Sequence, residues 1–360
     1  MVSAFHVLAT GPCLEYAKKV VAALRNRAEF GLEDADFDYT DQLSVLRFAD
    51  GEMEVELHKS VRGKVVFLFA ACARSGLGHS VEGAKAELYH AVDVLRRSQA
   101  KKIVVFEPYI SSSRSDRTTR RNSVGFWIHY KTLVSLGADH LITYQLHSDK
   151  SKTIFDPCLC AVDDISAISL LQRHLCDTAI RTRRILDEEV AGNWLFCSVD
   201  AGGEKLARRF ALAFGAELVV AHKQRDYRRA NAVESVSVLS AVPLEGRTAW
   251  IVDDMIDTGN SVYSLVGELA HRSLREINVM AVHPVLSDPA VDRLLELKDR
   301  GLLGRLVVCD TVPCDAARER LPFLEVIDSA PLSAEIVHTI ATERQMSALI
   351  DSFTPIEYLR

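Results

Sequence analysis

The stretch VDDMIDTGNS, residues 252–261, directly follows the apolar run TAWIV at residues 248–252. Such a run is typical of a buried strand, and this one leads into three carboxylates within five positions. Because carboxylates repel a phosphate, Asp253 and Asp254 suit vicinal hydroxyls, or a divalent cation that those hydroxyls also bind. Ligands of open α/β sheets bind beyond the carboxyl ends of strands, so this position favours a binding site.

The turn that follows, from Asp257 to Ser261, is suited to an anion. It offers backbone N–H groups, two hydroxyls and the amino end of a helix that we predict from about Ser261. The simpler interpretation is a helix cap by Asp257 or Ser261, but a cap needs only one such residue. A phosphate site beside a diol site describes a ribose 5-phosphate, and we predict that ligand here.

Apolar runs alternate with amphipathic segments along the whole chain, which indicates parallel sheets with crossover helices. Residues 81–97 carry apolar side chains along one helical face and are predicted to form a helix. The alternation starts again at NWLFCSVD, residues 193–200. We therefore predict two α/β domains, residues 1–160 and 161–345, followed by a tail at residues 346–360.

The composition is that of an ordinary globular protein, with 48% hydrophobic residues, 26% charged residues and a net charge of -6. The negative charge argues against a nucleic-acid partner, and the apolar runs are too short for a membrane partner. The first residues lack the pattern of a secretory signal, so a cytoplasmic protein is expected. We expect the eight cysteines to be reduced and buried, because they show neither zinc spacing nor a disulfide framework.

The stretch at 252–261 resembles the phosphoribosyl-binding loop of the type I phosphoribosyltransferase fold. Phosphoribosyltransferases share this fold with the ribose-phosphate diphosphokinases, or phosphoribosyl pyrophosphate synthetases. The resemblance implies an α/β chain of two tandem phosphoribosyltransferase-like domains, each a mainly parallel sheet flanked by helices. Asn260 replaces a glycine of the family, and because asparagine tolerates a left-handed backbone, the phosphate cradle can survive this replacement. The residues implied to bind ribose 5-phosphate are Asp253, Asp254, Asp257, Thr258, Gly259, Asn260 and Ser261.

Two segments of the first domain resemble ATP-binding segments of the diphosphokinases. FADGE at residues 48–52, followed by VRG at residues 61–63, resembles the family's F-S-D-G-E loop, which reaches a neighbouring subunit. PYISSSRSDR at residues 108–117 resembles P-Y-x-x-x-A-R-Q-D-R, with serine in place of glutamine. The residues implied to contact ATP are Phe48, Asp50, Glu52, Arg114 and Ser115.

Two further segments resemble positions that bind magnesium in the family. QLHSDKSKTIFD at residues 145–156 resembles D-L-H-A-x-Q…FFD, which implies that His147 ligates magnesium or lies beside the ATP phosphates. SVDAGG at residues 198–203 resembles S-P-D-A-G-G, which implies that Asp200 holds the cation. Gln145 replaces the family's aspartate, so a carboxylate that would orient the histidine is missing at this position.

The segment KQRDYRRAN, residues 223–231, resembles the start of the family's catalytic loop. The resemblance implies that Lys223 and Arg225 act on the transferring diphosphoryl group, and Asn231 and Glu234 follow in the family's order. Taken alone, this basic segment would be read as a solvated loop. The order of all these segments along the chain favours the catalytic interpretation.

Together the segments imply Mg²⁺-dependent transfer of the diphosphoryl group of ATP to the C1 hydroxyl of ribose 5-phosphate. The products would be phosphoribosyl pyrophosphate and AMP. The family also implies a homo-oligomer built on dimers, a hexamer, with phosphate or ADP as regulators. Two alternatives stay open: a catalytically silent homologue that acts as a regulatory or binding subunit, and a phosphoribosyltransferase.

Overall fold

A computed structural model describes residues 5–27, 37–38, 42–73, 80–118, 121–181, 187–224, 235–350 and 353–359. The chain forms two compact units. The first comprises Met1–Ser166, Thr311–Pro313 and Asp328–Asp351, and the second comprises Ala167–Asp310, Cys314–Ile327 and Ser352–Arg360. These units are divided differently from the predicted ranges of 1–160 and 161–345, because residues near the C-terminal end of the chain pack into the first unit.

Most of the strands are short apolar runs, as the alternation along the sequence predicted. In chain order they are β1 (Phe5–Ala9), β2 (Phe37–Asp38), β3 (Leu43–Arg47), β4 (Met53–Leu57), β5 (Val65–Phe69), β6 (Lys102–Glu107), β7 (His140–Tyr144), β8 (Ala161–Ile165), β9 (Trp194–Ser198), β10 (Glu217–Gln224), β11 (Ser235–Leu239), β12 (Thr248–Ile256), β13 (Glu276–Pro284), β14 (Leu306–Cys309) and β15 (Leu324–Ile327).

The helices connect and cover the strands. In chain order they are α1 (Leu14–Asn26), α2 (Val81–Arg97), α3 (Gly125–Leu136), α4 (Ile168–Leu175), α5 (Asp187–Asn193), α6 (Glu204–Phe214), α7 (Asn260–Ala270), α8 (Ala290–Asp299), α9 (Asp315–Arg320), α10 (Ala330–Ala341), α11 (Ser347–Ile350) and α12 (Pro355–Leu359). Short 3-10 helices at Gly11–Cys13 and Asp149–Ile154 and a π-helical turn at Cys176–Arg181 supplement them.

The first unit contains a six-stranded sheet in the order β2-β1-β5-β6-β7-β8. All of its strand pairs are parallel, so the segments that follow β5, β6 and β7 emerge at one edge. β3 and β4 form a separate antiparallel hairpin. α10 packs against α1, and its Ser333 hydroxyl lies 2.7 Å from the hydroxyls of both Tyr16 and Tyr144.

The second unit contains a seven-stranded sheet in the order β11-β10-β9-β12-β13-β14-β15. Its pairs are parallel except for β10 with β11. β12 lies in the middle, and its first five residues are buried, because helices and neighbouring strands cover it on all sides. The predicted class of two mainly parallel sheets flanked by helices is confirmed.

All eight cysteines are free, and seven of them are buried. Cys158 is exposed, contrary to expectation, because it lies in the turn after Asp156, whose Oδ1 accepts its backbone N–H at 3.0 Å. Among the described residues, no helix has the length and apolar character needed to cross a membrane.

Candidate active site

The predicted sugar-phosphate loop lies where β12 ends and α7 begins. β12 extends to Ile256, beyond the apolar run, so Asp253 and Asp254 belong to the strand and are only partly exposed. The turn is short, and α7 begins at Asn260, one residue earlier than the sequence indicated. The backbone N–H groups of the first helical turn and the helix dipole favour an anion at this place.

Gly259 reverses the chain in this turn. It has a φ of +71°, which is left-handed, and it caps α7. A Cβ atom there would lie 3.4 Å from the Cα of Ala290, which is a contact distance, so it is the left-handed conformation that favours glycine. Gly259 provides the left-handed reversal of this turn, and Asn260 is helical, so the tolerance of asparagine for a left-handed backbone is not needed here. Arg293 Nη1 donates to the Thr258 carbonyl at 2.7 Å and so holds the turn against α8.

Three carboxylates of the second unit influence one another. β9 and β12 are neighbours, with Ser198 opposite Val252, so the residues after β9 run beside Asp253. Burial, followed by the negative charges of Asp254 and Asp200, raises the pKa of Asp253 well above its ordinary value. Such a region attracts hydroxyl groups and cations and repels phosphate.

Asp200 shapes the turn between β9 and α6. Its Oδ1 accepts the backbone N–H groups of Gly202 and Gly203, at 2.8 and 3.0 Å. A Cβ atom on Gly202 would lie 3.1 Å from that oxygen, so the close approach favours glycine. No described residue donates a hydrogen bond to Asp200 Oδ2. The backbone therefore orients the carboxylate and leaves one oxygen for a ligand.

In the first unit, the predicted adenine-binding segment is the turn of the β3–β4 hairpin. The Phe48 N–H donates to the Glu52 carbonyl at 2.9 Å, and the Gly51 N–H donates to the Phe48 carbonyl at 3.0 Å. Asp50 Oδ1 accepts the Glu52 N–H at 3.1 Å, so this carboxylate helps to fix the turn. The Phe48 ring is 45% exposed and is therefore accessible to another aromatic ring.

The predicted triphosphate segment follows β6 and is held by hydrogen bonds. Ser115 Oγ accepts the Gly125 N–H at 3.0 Å, and the Ser115 carbonyl accepts the Phe126 N–H at 3.1 Å. Asp116 Oδ2 accepts the Ser151 hydroxyl at 3.0 Å, which joins this segment to the 3-10 helix after His147. The segments that follow β6 and β7 are therefore adjacent, as parallel neighbours require.

His147 is exposed just beyond β7, and a residue that the sequence did not single out supports its segment. Gln145 has a left-handed φ of +42°, and the next N–H, that of Leu146, donates to Asp164 Oδ1 at 2.9 Å. Asp164 Oδ2 also pairs with Lys152 Nζ at 2.9 Å. Asp164 thus supplies a carboxylate close to the place where Gln145 lacks one. Its sequence signal was a pair of acids near the end of a strand, in AVDDI.

Two predicted catalytic positions fall largely outside the described residues. The backbone of Lys223 belongs to β10, but its side chain is outside the description, and Arg225, Asn231 and Glu234 are outside it entirely. Within the described ranges, no group of three or more His, Cys, Asp or Glu side chains could hold a metal ion.

Two family profiles match the chain. Residues 5–137 match the N-terminal domain of ribose phosphate pyrophosphokinase, and residues 229–351 match the phosphoribosyl synthetase-associated domain. The two matches begin within the first unit and the second unit, respectively.

Curated relatives extend the similarity over most of the chain. The ribose-phosphate pyrophosphokinase of Xanthomonas campestris is 32% identical over 309 residues, which cover 85% of this chain and 88% of that protein. The enzyme of the same name from Mycobacterium tuberculosis is 32% identical over 326 residues, covering 90% and 92%. The crystal structure of phosphoribosylpyrophosphate synthetase from Mycobacterium smegmatis has a TM-score of 0.77 at 26% identity, covering 94% of this chain and 99% of that one.

Proposed function

The chain belongs to the ribose-phosphate pyrophosphokinase family, and on that premise we propose that it transfers the diphosphoryl group of ATP to the C1 hydroxyl of ribose 5-phosphate. The products are phosphoribosyl pyrophosphate and AMP. The observation that carries the proposal is the β12–α7 junction, where a carboxylate cluster borders a glycine turn at a helix N-terminus. This arrangement separates a hydroxyl-binding region from a phosphate-binding region.

The second unit supplies the sugar-phosphate contacts in this proposal. The backbone N–H groups and hydroxyls from Asp257 to Ser261 bind the 5-phosphate. Asp253 and Asp254 accept hydrogen bonds from the ribose hydroxyls, and a protonated Asp253 can also donate one. Because binding at both ends fixes the ribose, its C1 hydroxyl is held for in-line attack on the β-phosphorus.

The first unit supplies the nucleotide contacts. The exposed Phe48 ring stacks on adenine. Asp50 and Glu52 lie on the same turn, where their carboxylates accept hydrogen bonds from the exocyclic amine of the base. Arg114 and Ser115 contact the triphosphate. The hairpin turn is exposed at Phe48, and we propose that it reaches a neighbouring subunit of a homo-oligomer built on dimers, a hexamer. Phosphate and ADP are the proposed regulators.

Asp200 and His147 are the residues that we propose would hold a magnesium ion, which would arrive with the nucleotide. Asp200 keeps one oriented carboxylate oxygen, which is the ligand type that Mg²⁺ prefers, and His147 is exposed at the end of β7. When bound, Mg²⁺ neutralises negative charge on the phosphates of the transferring group. Lys223 and Arg225 are proposed to neutralise the charge that develops on the β-phosphate, and they act as positive charges, not as an acid or a base.

The experiment is to measure AMP release from the purified protein with ATP, Mg²⁺ and ribose 5-phosphate. We expect AMP that requires the sugar phosphate, and a loss on the order of 10³-fold in rate for Lys223→Ala. Omission of ribose 5-phosphate is the control for simple ATP hydrolysis. A protein that binds ribose 5-phosphate but releases no AMP across a range of Mg²⁺ and phosphate concentrations would contradict the proposal and indicate a regulatory subunit.

A further inference from the structure

A carboxylate and a histidine are buried together directly before the proposed triphosphate segment. Glu107, the last residue of β6, has a fully buried side chain, and its Oε2 lies 2.7 Å from Nε2 of His129 on α3. Only 2% of the His129 side chain is exposed. Replacing a buried pair of this kind by apolar side chains of similar volume is often neutral or stabilising, so stability alone does not explain why the pair is present.

The pair continues into α2 through a second hydrogen bond. His129 Nδ1 lies 2.9 Å from the Tyr89 hydroxyl. Burial, followed by the negative charge of Glu107, raises the pKa of Tyr89, so the hydroxyl keeps its proton. The same two causes raise the pKa of the buried Cys72 thiol, which follows β5. All of these groups therefore surround one buried carboxylate between α2 and α3.

Lys85 connects the same helix face to the triphosphate segment itself. Its Nζ donates to Ser112 Oγ at 2.8 Å and to Glu82 Oε1 at 2.9 Å. Glu82, Lys85 and Tyr89 are spaced by three and four positions, so they share one face of α2. We call Lys85, Tyr89, Glu107 and His129 the buried polar cluster.

The cluster and the segment are held by the same two helices. α2 reaches the segment through Lys85 and Ser112, and α3 reaches it through the N–H groups of Gly125 and Phe126, which donate to Ser115. Glu107 and His129 connect β6 to α3, and Tyr89 adds α2, so the cluster links the two helices to each other and to the sheet. Arg114 lies between Ser112 and Ser115, the two anchored residues.

We propose that Glu107 and His129 are positioning residues for ATP, which act through the anchored segment on Arg114. The inference rests on the proposed function, because it assigns the segment to ATP. It predicts that breaking the pair raises the KM for ATP and leaves the KM for ribose 5-phosphate nearly unchanged.

The first test compares Glu107→Gln with Asp163→Asn. Glu107→Gln keeps the volume but leaves His129 without its buried carboxylate. Asp163→Asn removes the carboxylate from a more exposed histidine–carboxylate pair in the same sheet, in which His140 Nε2 lies 2.8 Å from Asp163 Oδ2. We expect Glu107→Gln to raise the KM for ATP by about tenfold while the KM for ribose 5-phosphate stays within about twofold, and Asp163→Asn to change neither. An unchanged KM for ATP in Glu107→Gln would overturn the inference.

The second test separates positioning from stability. In the double variant Glu107→Leu with His129→Leu, two apolar side chains replace the pair, which commonly preserves or increases stability. We expect this variant to keep a wild-type Tm with a raised KM for ATP. If the double variant has a wild-type KM for ATP as well as a wild-type Tm, the pair serves packing alone and the inference is overturned.

A failure of the proposed function is distinguishable from a failure of this inference. If the wild-type protein releases no AMP, calorimetric titration with Mg-ATP gives the dissociation constant for each variant directly. A weaker affinity in Glu107→Gln than in Asp163→Asn still supports the positioning role. Equal affinities overturn it.

Discussion

Asp253 occupies a position that is unfavourable whenever its carboxyl group is ionised. Burial, and then the charges of Asp254 and Asp200, raise its pKa, so the folded protein binds this proton more tightly than the unfolded chain does. The resulting stability is fully present below the ordinary aspartate pKa of 3.8, and it is lost as the pH rises through the raised value. A residue retained at such a cost is expected to serve function.

Asp253→Asn should therefore stabilise the protein above neutral pH. The substitution removes a charge that is repelled by its neighbours, so we expect the free energy of unfolding at pH 8 to rise by about 1 kcal/mol, which corresponds to a few degrees in Tm. The difference should shrink toward pH 4. Thermal unfolding between pH 4 and pH 9 measures it, with the exposed Asp299→Asn as the control. A lower Tm for Asp253→Asn at pH 8 would show that the fold stabilises the ionised form.

At the scale of elements, several boundaries could be predicted from local patterns. The α2 helix spans the predicted residues 81–97, because Ser80 caps it by accepting the Gly83 N–H and an apolar stripe faces the core. The β3–β4 hairpin was not predicted, although MEVEL alternates apolar and polar residues as strands do and LSVLR does so in its first three positions. That alternation is weaker than the continuous apolar runs of the parallel strands.

Most of the predicted site loops could be placed from the sequence because they follow apolar runs, whereas their supporting residues could not. Asp164 lies 18 positions from Leu146, and His129 lies 22 positions from Glu107. No local pattern relates such partners, because only the packing of distant helices and strands brings them together. The sequence alone could therefore indicate the loops at the ends of strands, and the structure was needed to find the residues that support those loops.

The start of α7 gives a prediction at this scale. Gly259→Ala introduces a side chain at a left-handed φ beside Ala290, so we expect a loss of about 1 kcal/mol in stability and a KM for ribose 5-phosphate raised several-fold. Gly267→Ala is the matched control in the same helix, where a Cβ atom meets no atom within 4 Å. That variant should be more stable by about 0.5–1 kcal/mol. Urea unfolding and steady-state kinetics of both variants measure these effects. Equal stability of the two would contradict the role assigned to Gly259.

At the scale of the whole molecule, the first unit depends on a helix from the far end of the chain. Ile336 and Val337 of α10 are fully buried, and Tyr16 on α1 lies 2.8 Å from Ser329 and 2.7 Å from Ser333. Burial of each large apolar side chain contributes roughly 1.5–3 kcal/mol, and a whole domain is stable by only about 5–15 kcal/mol. The first unit is therefore expected to be incomplete without α10.

Two truncations test this dependence. A chain that ends after Ile327 lacks α10, whereas a chain that ends after Gln345 keeps it, and both lack residues 353–359. We expect the shorter chain to lose the thermal transition of the first unit, by calorimetry, and to become susceptible to proteolysis within residues 5–166. The longer chain should keep both properties. Identical behaviour of the two chains would show that α10 is dispensable for the first unit.

The packing of α10 into the first unit also sets an order of events during synthesis. A ribosome produces the first 166 residues early, but the helix that completes their core emerges only after more than 160 further residues have been made. All strands of the second sheet precede α10 in the chain, so the second unit has its complete sheet available first. Until α10 has been made, the nascent first unit exposes part of the apolar surface that α10 later covers. We expect a chaperone to bind the chain at this stage.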